Sequence, residues 1–233
     1  MKSLFRIAGL WIVLVALMMF STSFVGLRYV AVTFNGTFGK QELLPGRKYA
    51  CVSENDSISV STCRFYVSKV ELLSDGVVQD QLDYKLVDLF DSTQTRISFL
   101  YSTYSAVTSI RFQLGIDSTT NVAGVGEGDL DPVKGMYWAW QSGYINMKLE
   151  GTSKLCEKDR NEFQYHLGGY ASPYNSLQTI ELKVDNSNDI QVNVDVEQFF
   201  SRTDMKSISH VMSPSVKAVE LAGNAAKMFS ISE

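Results

Sequence analysis

Thr179-Ile180-Glu181-Leu182-Lys183-Val184, then Asp185-Asn186-Ser187-Asn188-Asp189, then Ile190-Gln191-Val192-Asn193-Val194-Asp195-Val196: this stretch decides the fold class. Apolar and polar residues alternate on both sides of a polar break. That is the period-2 signature of half-buried strands, one face on a core and the other on solvent. The break itself predicts a hairpin. The same pattern recurs upstream. Tyr29-Val30-Ala31-Val32-Thr33-Phe34 alternates before Asn35-Gly36, and Cys63-Arg64-Phe65-Tyr66-Val67-Ser68-Lys69-Val70-Glu71-Leu72 runs to Ser74-Asp75-Gly76. Tyr84 to Leu89, Ile97-Ser98-Phe99 and Ser109 to Leu114 continue it. Helical signal comes late, over Pro214 to Ala222 with Gly223-Asn224 behind it; Ser213 is placed to cap it and Pro214 to open its first turn. The expectation is an all-β, antiparallel β-sandwich with one or two short helices near the C-terminus.

The N-terminus reads separately. Lys2 and Arg6 precede an apolar run, Ile7 to Phe20, and Ser21-Thr22-Ser23 follows. A basic start, an apolar stretch and small residues make a secretory signal peptide over 1–23, leaving 24–233 as the folded part. The other reading is an uncleaved anchor, because Phe24-Val25-Gly26-Leu27 extends the apolar run toward the ~20 residues of a membrane span. Either way the expected location is periplasmic or secreted, with the membrane touched only through an uncleaved N-terminal segment.

The chain has 233 residues and a net charge of −4, with no long run of Lys or Arg, which argues against nucleic acid as a partner. Three cysteines, Cys51, Cys63 and Cys156, are an odd number for an exported protein. Cys51 and Cys63 flank the turn-like Glu54-Asn55-Asp56-Ser57, which a hairpin would draw together into a disulfide; the alternative is three buried thiols acting as small hydrophobes. Cys156, in the charged segment Lys154 to Glu162, reads as a loop residue.

Chemistry-bearing residues are few. Only two histidines occur, His166 and His210, and no Ser sits in a Gly-x-Ser-x-Gly elbow, so a hydrolase triad is not credible and the chain reads as non-enzymatic. Gly124-Val125-Gly126-Glu127-Gly128 lacks the strand-to-helix context of a phosphate cradle. Asp185, Ser187 and Asp189 begin like a calcium loop, but Ile190 stands where glycine is needed. Asp117, Asn121, Asp129 and Asp131 read as turn formers. What remains is Gly135-Met136-Tyr137-Trp138-Ala139-Trp140-Gln141-Ser142-Gly143-Tyr144, with Tyr165-His166-Leu167-Gly168-Gly169 beyond it. In a strand, Met136, Trp138 and Trp140 share one face. Beside an imidazole they form either a soft-metal site or a large β-core with one buried histidine.

The order of these motifs resembles the MbnP-like periplasmic copper-binding proteins, a family associated with methanobactin operons and widespread in Bacteroidetes-type bacteria. The resemblance runs from Thr33-Phe34-Asn35-Gly36 through the segments above, with Gly128-Asp129-Leu130-Asp131-Pro132 and Val194-Asp195-Val196-Glu197-Gln198-Phe199-Phe200. It implies an exported β-sandwich holding mononuclear copper between histidines and an oxidised tryptophan, kynurenine, formed by a partner di-haem peroxidase. Carried onto this chain, His166 would be the imidazole ligand and Trp138 or Trp140 the modified residue. Met136 adds a thioether, which suits Cu(I). One departure stands out: relatives often carry a histidine in the first-strand segment where this chain has Phe34-Asn35-Gly36, with Asn35 a weak ligand for a soft metal. The alternative function is a metal-free structural or interaction module of the cell envelope.

Overall fold

The computed structural model describes residues 27–51, 56–102, 106–140 and 143–232. The signal-peptide and anchor readings of 1–23 lie outside those residues; among the described ones, no helix is long and apolar enough to cross a membrane. The first half of the chain forms β1 (Leu27–Phe38), β2 (Gln41–Glu42), β3 (Lys48–Cys51), β4 (Asp56–Ser74), β5 (Val77–Asp88), β6 (Arg96–Ser102) and β7 (Ser109–Leu114). Then come α1 (Ser118–Ala123), β8 (Tyr137–Trp138), β9 (Gly143–Ser153), β10 (Glu162–Gly168), β11 (Gln178–Lys183) and β12 (Asp189–Asp195). The chain closes with α2 (Glu197–Phe200), β13 (His210–Val211), α3 (Val216–Ala226) and β14 (Phe229–Ile231).

Hydrogen-bond pairing sorts these strands into two facing sheets. The smaller runs β14-β12-β1, with β2 and β6 also on β1; the larger runs β11-β7-β4-β9-β10-β13, with β3 and β5 on β4 and β8 on β9. Even-numbered β1 residues Val30, Val32 and Phe34 enter the core, as do Phe65 and Val67 of β4 and Met147 and Leu149 of β9. Phe34 meets Phe65 and Phe112 edge-on at 5.9 and 5.8 Å, and Phe229 packs against the same two rings at 5.4 Å each. Four rings from both sheets thus interlock, the geometry in which aromatic quadrupoles attract. Helix α3 buries Ala218, Leu221, Ala222 and Ala225 against this core.

The all-β sandwich expectation holds, with corrections in detail. Asp185–Asp189 is not a hairpin turn. β11 pairs with β7 in the large sheet, while β12 pairs with β1 in the small one. The connection is stitched to both: Val184 N–H donates to Thr108 O at 3.0 Å, and Asn188 O accepts from Ala31 N–H at 2.9 Å. β12 lies parallel to β1, and β10·β13 is parallel as well, so both sheets are mixed. The late helix is capped by Ser215, whose Oγ accepts from Ala218 N–H, not by Ser213; it runs through Gly223-Asn224 to Ala226.

The Cys51–Cys63 disulfide is also corrected. β3 and β4 do form the expected hairpin, but its register sets Cys51 opposite Asp56, seven residues before Cys63 on the same strand. Seven strand residues span roughly 23 Å, whereas bridged Cα atoms lie within about 7 Å. Cys63 is a free thiol in the core, and burial pushes its pKa up. Cys156 is likewise free and buried, its pKa pushed up to about 11 chiefly by burial.

Candidate functional site

The outer face of the large sheet carries the residues singled out in the sequence. In β10, Phe163, Tyr165 and Leu167 point into the core, so His166 and Gly168 point away from it. The same rule in β9 turns Asn146, Lys148 and Glu150 outward beside Met147 and Leu149. Over this face the chain from Gly115 to Trp140 folds as a cover, and a small second core joins it to the sheet: Tyr66, Leu86, Ile116, Leu130, Met136, Trp138, Tyr144 and Ile145.

Polar side chains pin the cover down. Arg64 donates to Lys134 O and Lys148 Nζ to Gly135 O, each at 2.7 Å. Tyr66 Oη donates to Asp129 O at 2.8 Å, and Asp129 Oδ2 accepts from Leu86 N–H at 3.0 Å. Buried Asn121 donates to Ile116 O and accepts from Tyr144 N–H, both at 2.9 Å. Asp117 caps α1 by accepting from Thr120 N–H, and Asp131 accepts from Val133 N–H. Asp117 and Asp131 therefore act locally as cap and turn formers, whereas Asp129 and Asn121 tie the cover to distant backbone, and Asp117 and Asp129 also pair with Lys69 and Lys85.

The structure separates the two tryptophans. Met136 is fully buried (0 % exposed) and Trp138 nearly so (6 %), while Trp140 lies in the turn after β8, 67 % exposed. Their rings remain neighbours, 6.1 Å between centroids. The strand ends at Trp138, so the single-stripe expectation covers Met136 and Trp138 only. The outer edge of the Trp138 ring lies against β10: a Cβ on Gly168 would come within 2.6 Å of it. Gly168 is one same-face step from His166, about 6.6 Å along the strand. His166 and Trp138 are thus brought onto one surface.

His166 is 7 % exposed, and its Nε2 lies 2.6 Å from Glu150 Oε1. That hydrogen bond, foremost, holds the Glu150 carboxyl down at about 2. With the carboxyl ionised, the shared proton belongs to Nε2, which leaves a neutral imidazole its lone pair on Nδ1. Sequence reading assigned no role to Glu150; its outward register two residues from Lys148 was the available signal. Among the described residues, no group of three His, Cys, Asp or Glu side chains converges on one point. His210 is exposed on β13, its Nδ1 3.4 Å from Asp159. Asn35 is on the solvent side of the small sheet, donating to Gln191 Oε1 at 2.8 Å.

Beside Trp138 opens an aromatic cleft of about 200 Å³, lined by Tyr170, Pro173, Tyr174 and Pro214 among others. No sequence motif pointed to it, since its walls come from three separate segments.

The architecture is a two-sheet β-sandwich whose large sheet carries a pinned cover, a histidine–carboxylate pair and a tryptophan pair. The MbnP family model matches residues 28–214, and the chain belongs to the MbnP family. Among solved structures it is similar to MbnP from Methylosinus trichosporium, with a TM-score of 0.62 and 17 % identity, covering 89 % of this chain and 99 % of that one; at that identity the likeness is one of fold. Comparison with curated proteins gives no match.

Proposed function

We propose that this chain is an exported, non-enzymatic copper-binding protein of the MbnP type, with His166 as its imidazole ligand. The observation that carries the reading is the His166–Glu150 pair. Metal-binding histidines are typically oriented by a carboxylate on the far ring nitrogen, which fixes the tautomer and raises ligand basicity. Here Glu150 takes Nε2, so Nδ1 is the ligand atom.

The donor set fits copper only in part. One imidazole does not complete a shell, and the Met136 thioether is sealed in the cover's core. A kynurenine at Trp138 or Trp140 supplies a further ligand. Of the two, exposed Trp140 is open to a partner di-haem peroxidase, and its ring contact with Trp138 links the buried indole to the surface.

Copper titration with a Cu(I) competitor tests this. Affinity falls on the order of ten- to a hundredfold in Glu150→Gln, is lost in His166→Ala, and is unchanged in His210→Ala. Kynurenine adds a small fixed mass to the peptide spanning 135–148 after co-expression with the peroxidase. Wild type that binds no copper overturns the reading. The second reading, a metal-free interaction module of the cell envelope, is favoured by the aromatic cleft and by exposed Trp140.

A further inference from the structure

The cleft beside Trp138 has features that copper binding does not use. Its walls are mainly the rings of Trp138, Tyr170, Pro173, Tyr174 and Pro214, with Ser172 the one further polar side chain, and among the described residues no charged side chain lines it. Glycines shape it. Gly169 adopts φ +121°, and a Cβ there would stand 2.2 Å from Tyr174 O and 3.0 Å from Pro214 Cβ, so only glycine lets these two walls close together. A Cβ on Gly143 would crowd the Tyr170 ring at 3.3 Å.

Trp138 supplies a second, independent observation. The side chain is more than nine-tenths buried, yet its indole N–H has no acceptor among the described residues and is not sealed from solvent. Trp138 lines the cleft, and its solvent-reachable indole N–H is a donor that water satisfies in the free protein and that a ligand's acceptor can take over.

We infer that the cleft binds a small, neutral, planar ring bearing a hydrogen-bond acceptor, the ring packed among the aromatic walls and the acceptor taken by the Trp138 indole N–H. Size sets the class. A cavity of roughly 150 Å³ accommodates benzene, so about 200 Å³ accommodates one ring and a short substituent such as a carbonyl. Charge sets it further: an ionic ligand would be desolvated with no counter-charge. A sugar ring of similar size needs partners for several hydroxyls, and beside the hydroxyls of Ser172, Tyr170 and Tyr174 the walls offer no carboxylate, amide or guanidinium side chain. The inference goes beyond copper binding and concerns the chain in which Trp138 is an unmodified tryptophan.

The test uses the full chain, metal-free, with ¹⁵N-labelled tryptophan. Acetophenone, ethylbenzene and maltose are titrated while the Trp138 indole N–H resonance is followed, assigned through Trp138→Phe. Acetophenone shifts the resonance saturably, and ethylbenzene, which lacks the acceptor, binds roughly two- to tenfold more weakly, the range of one neutral hydrogen bond. In Trp138→Phe, read on labelled Tyr174, the two ligands become equal. Tyr174→Ala, a partly exposed wall whose loss leaves the core intact, weakens both and keeps the test decisive if Trp138→Phe fails to fold. No saturable shift with acetophenone, saturation by maltose instead, or binding indifferent to Tyr174→Ala would each overturn the inference.

Discussion

Asn35 and His166 stand on opposite outer faces of the sandwich. Phe34, next to Asn35, packs against Phe65 and Phe112 in the core, and Tyr165 and Leu167 flank His166 in that same core. Facing sheets pack about 10 Å apart, so side chains leaving their far sides are separated by more than that and cannot share an ion. The family histidine expected at the Asn35 segment would therefore not complete a site at His166 if placed at Asn35 itself. Asn35→His leaves copper affinity within about twofold of wild type, in contrast to the gain that the motif comparison suggests. A competitor titration showing a tenfold gain would refute this placement.

Glu150 makes stability depend on acidity in a defined window. Its carboxyl is held at about 2, against an ordinary value of 4.5. A depressed carboxylate contributes stability that is fully present above the unfolded value and is lost as pH falls through the folded one. The loss thus runs from about pH 4.5 to about pH 2, and amounts to about 1–3 kcal/mol. Urea unfolding at pH 6 and pH 3 measures it. Glu150→Gln is less stable than wild type at pH 6 and shows a shallower acid decline, and equal declines in both proteins would contradict the assignment.

Gly168 provides the floor for Trp138. Gly168→Ala drives a methyl to within 2.6 Å of the indole and 2.7 Å of Tyr144 O, backbone that cannot swing aside. Overpacking of this kind costs about 1–3 kcal/mol. The melting temperature should fall, and the Trp138 indole N–H resonance should move. A variant as stable as wild type, with that resonance in place, would mean the indole does not rest on β10.

Cys63 is a thiol in the core. Iodoacetamide labels it only after denaturation, and labels it then without any reductant. If the Cys63 peptide stayed unlabelled in denaturant until dithiothreitol was added, a disulfide would be present and the β3–β4 register would be wrong.

Much of this architecture was legible in local pattern. Strict alternation in Thr179–Val184 and Ile190–Val196 marked both strands and chose their inward residues, because side chains on an extended backbone alternate with period two whatever lies beside them. Val192 and Val194 are core residues for that reason. The sparse, late helix was equally readable. His166 and Trp138 were singled out as types rare in the chain, and both lie on the surface that the cover encloses.

Partnership was not legible. Alternation says which face a strand buries but not which sheet it joins, so Asp185–Asp189 read as a turn although it carries the chain across the sandwich. The same gap set Cys51 beside Cys63, where the register separates them, and left Glu150 without a role until β9 and β10 were paired. Composition and periodicity alone determined a two-sheet β-protein with a tryptophan- and histidine-bearing segment. Only the tertiary structure decided that His166 meets Glu150 at 2.6 Å, that Trp138 is buried while Trp140 is not, and that Asn35 is out of reach on the far face. Those are relations between segments distant in the chain, set by which strands share hydrogen bonds and by which side of each sheet the core occupies.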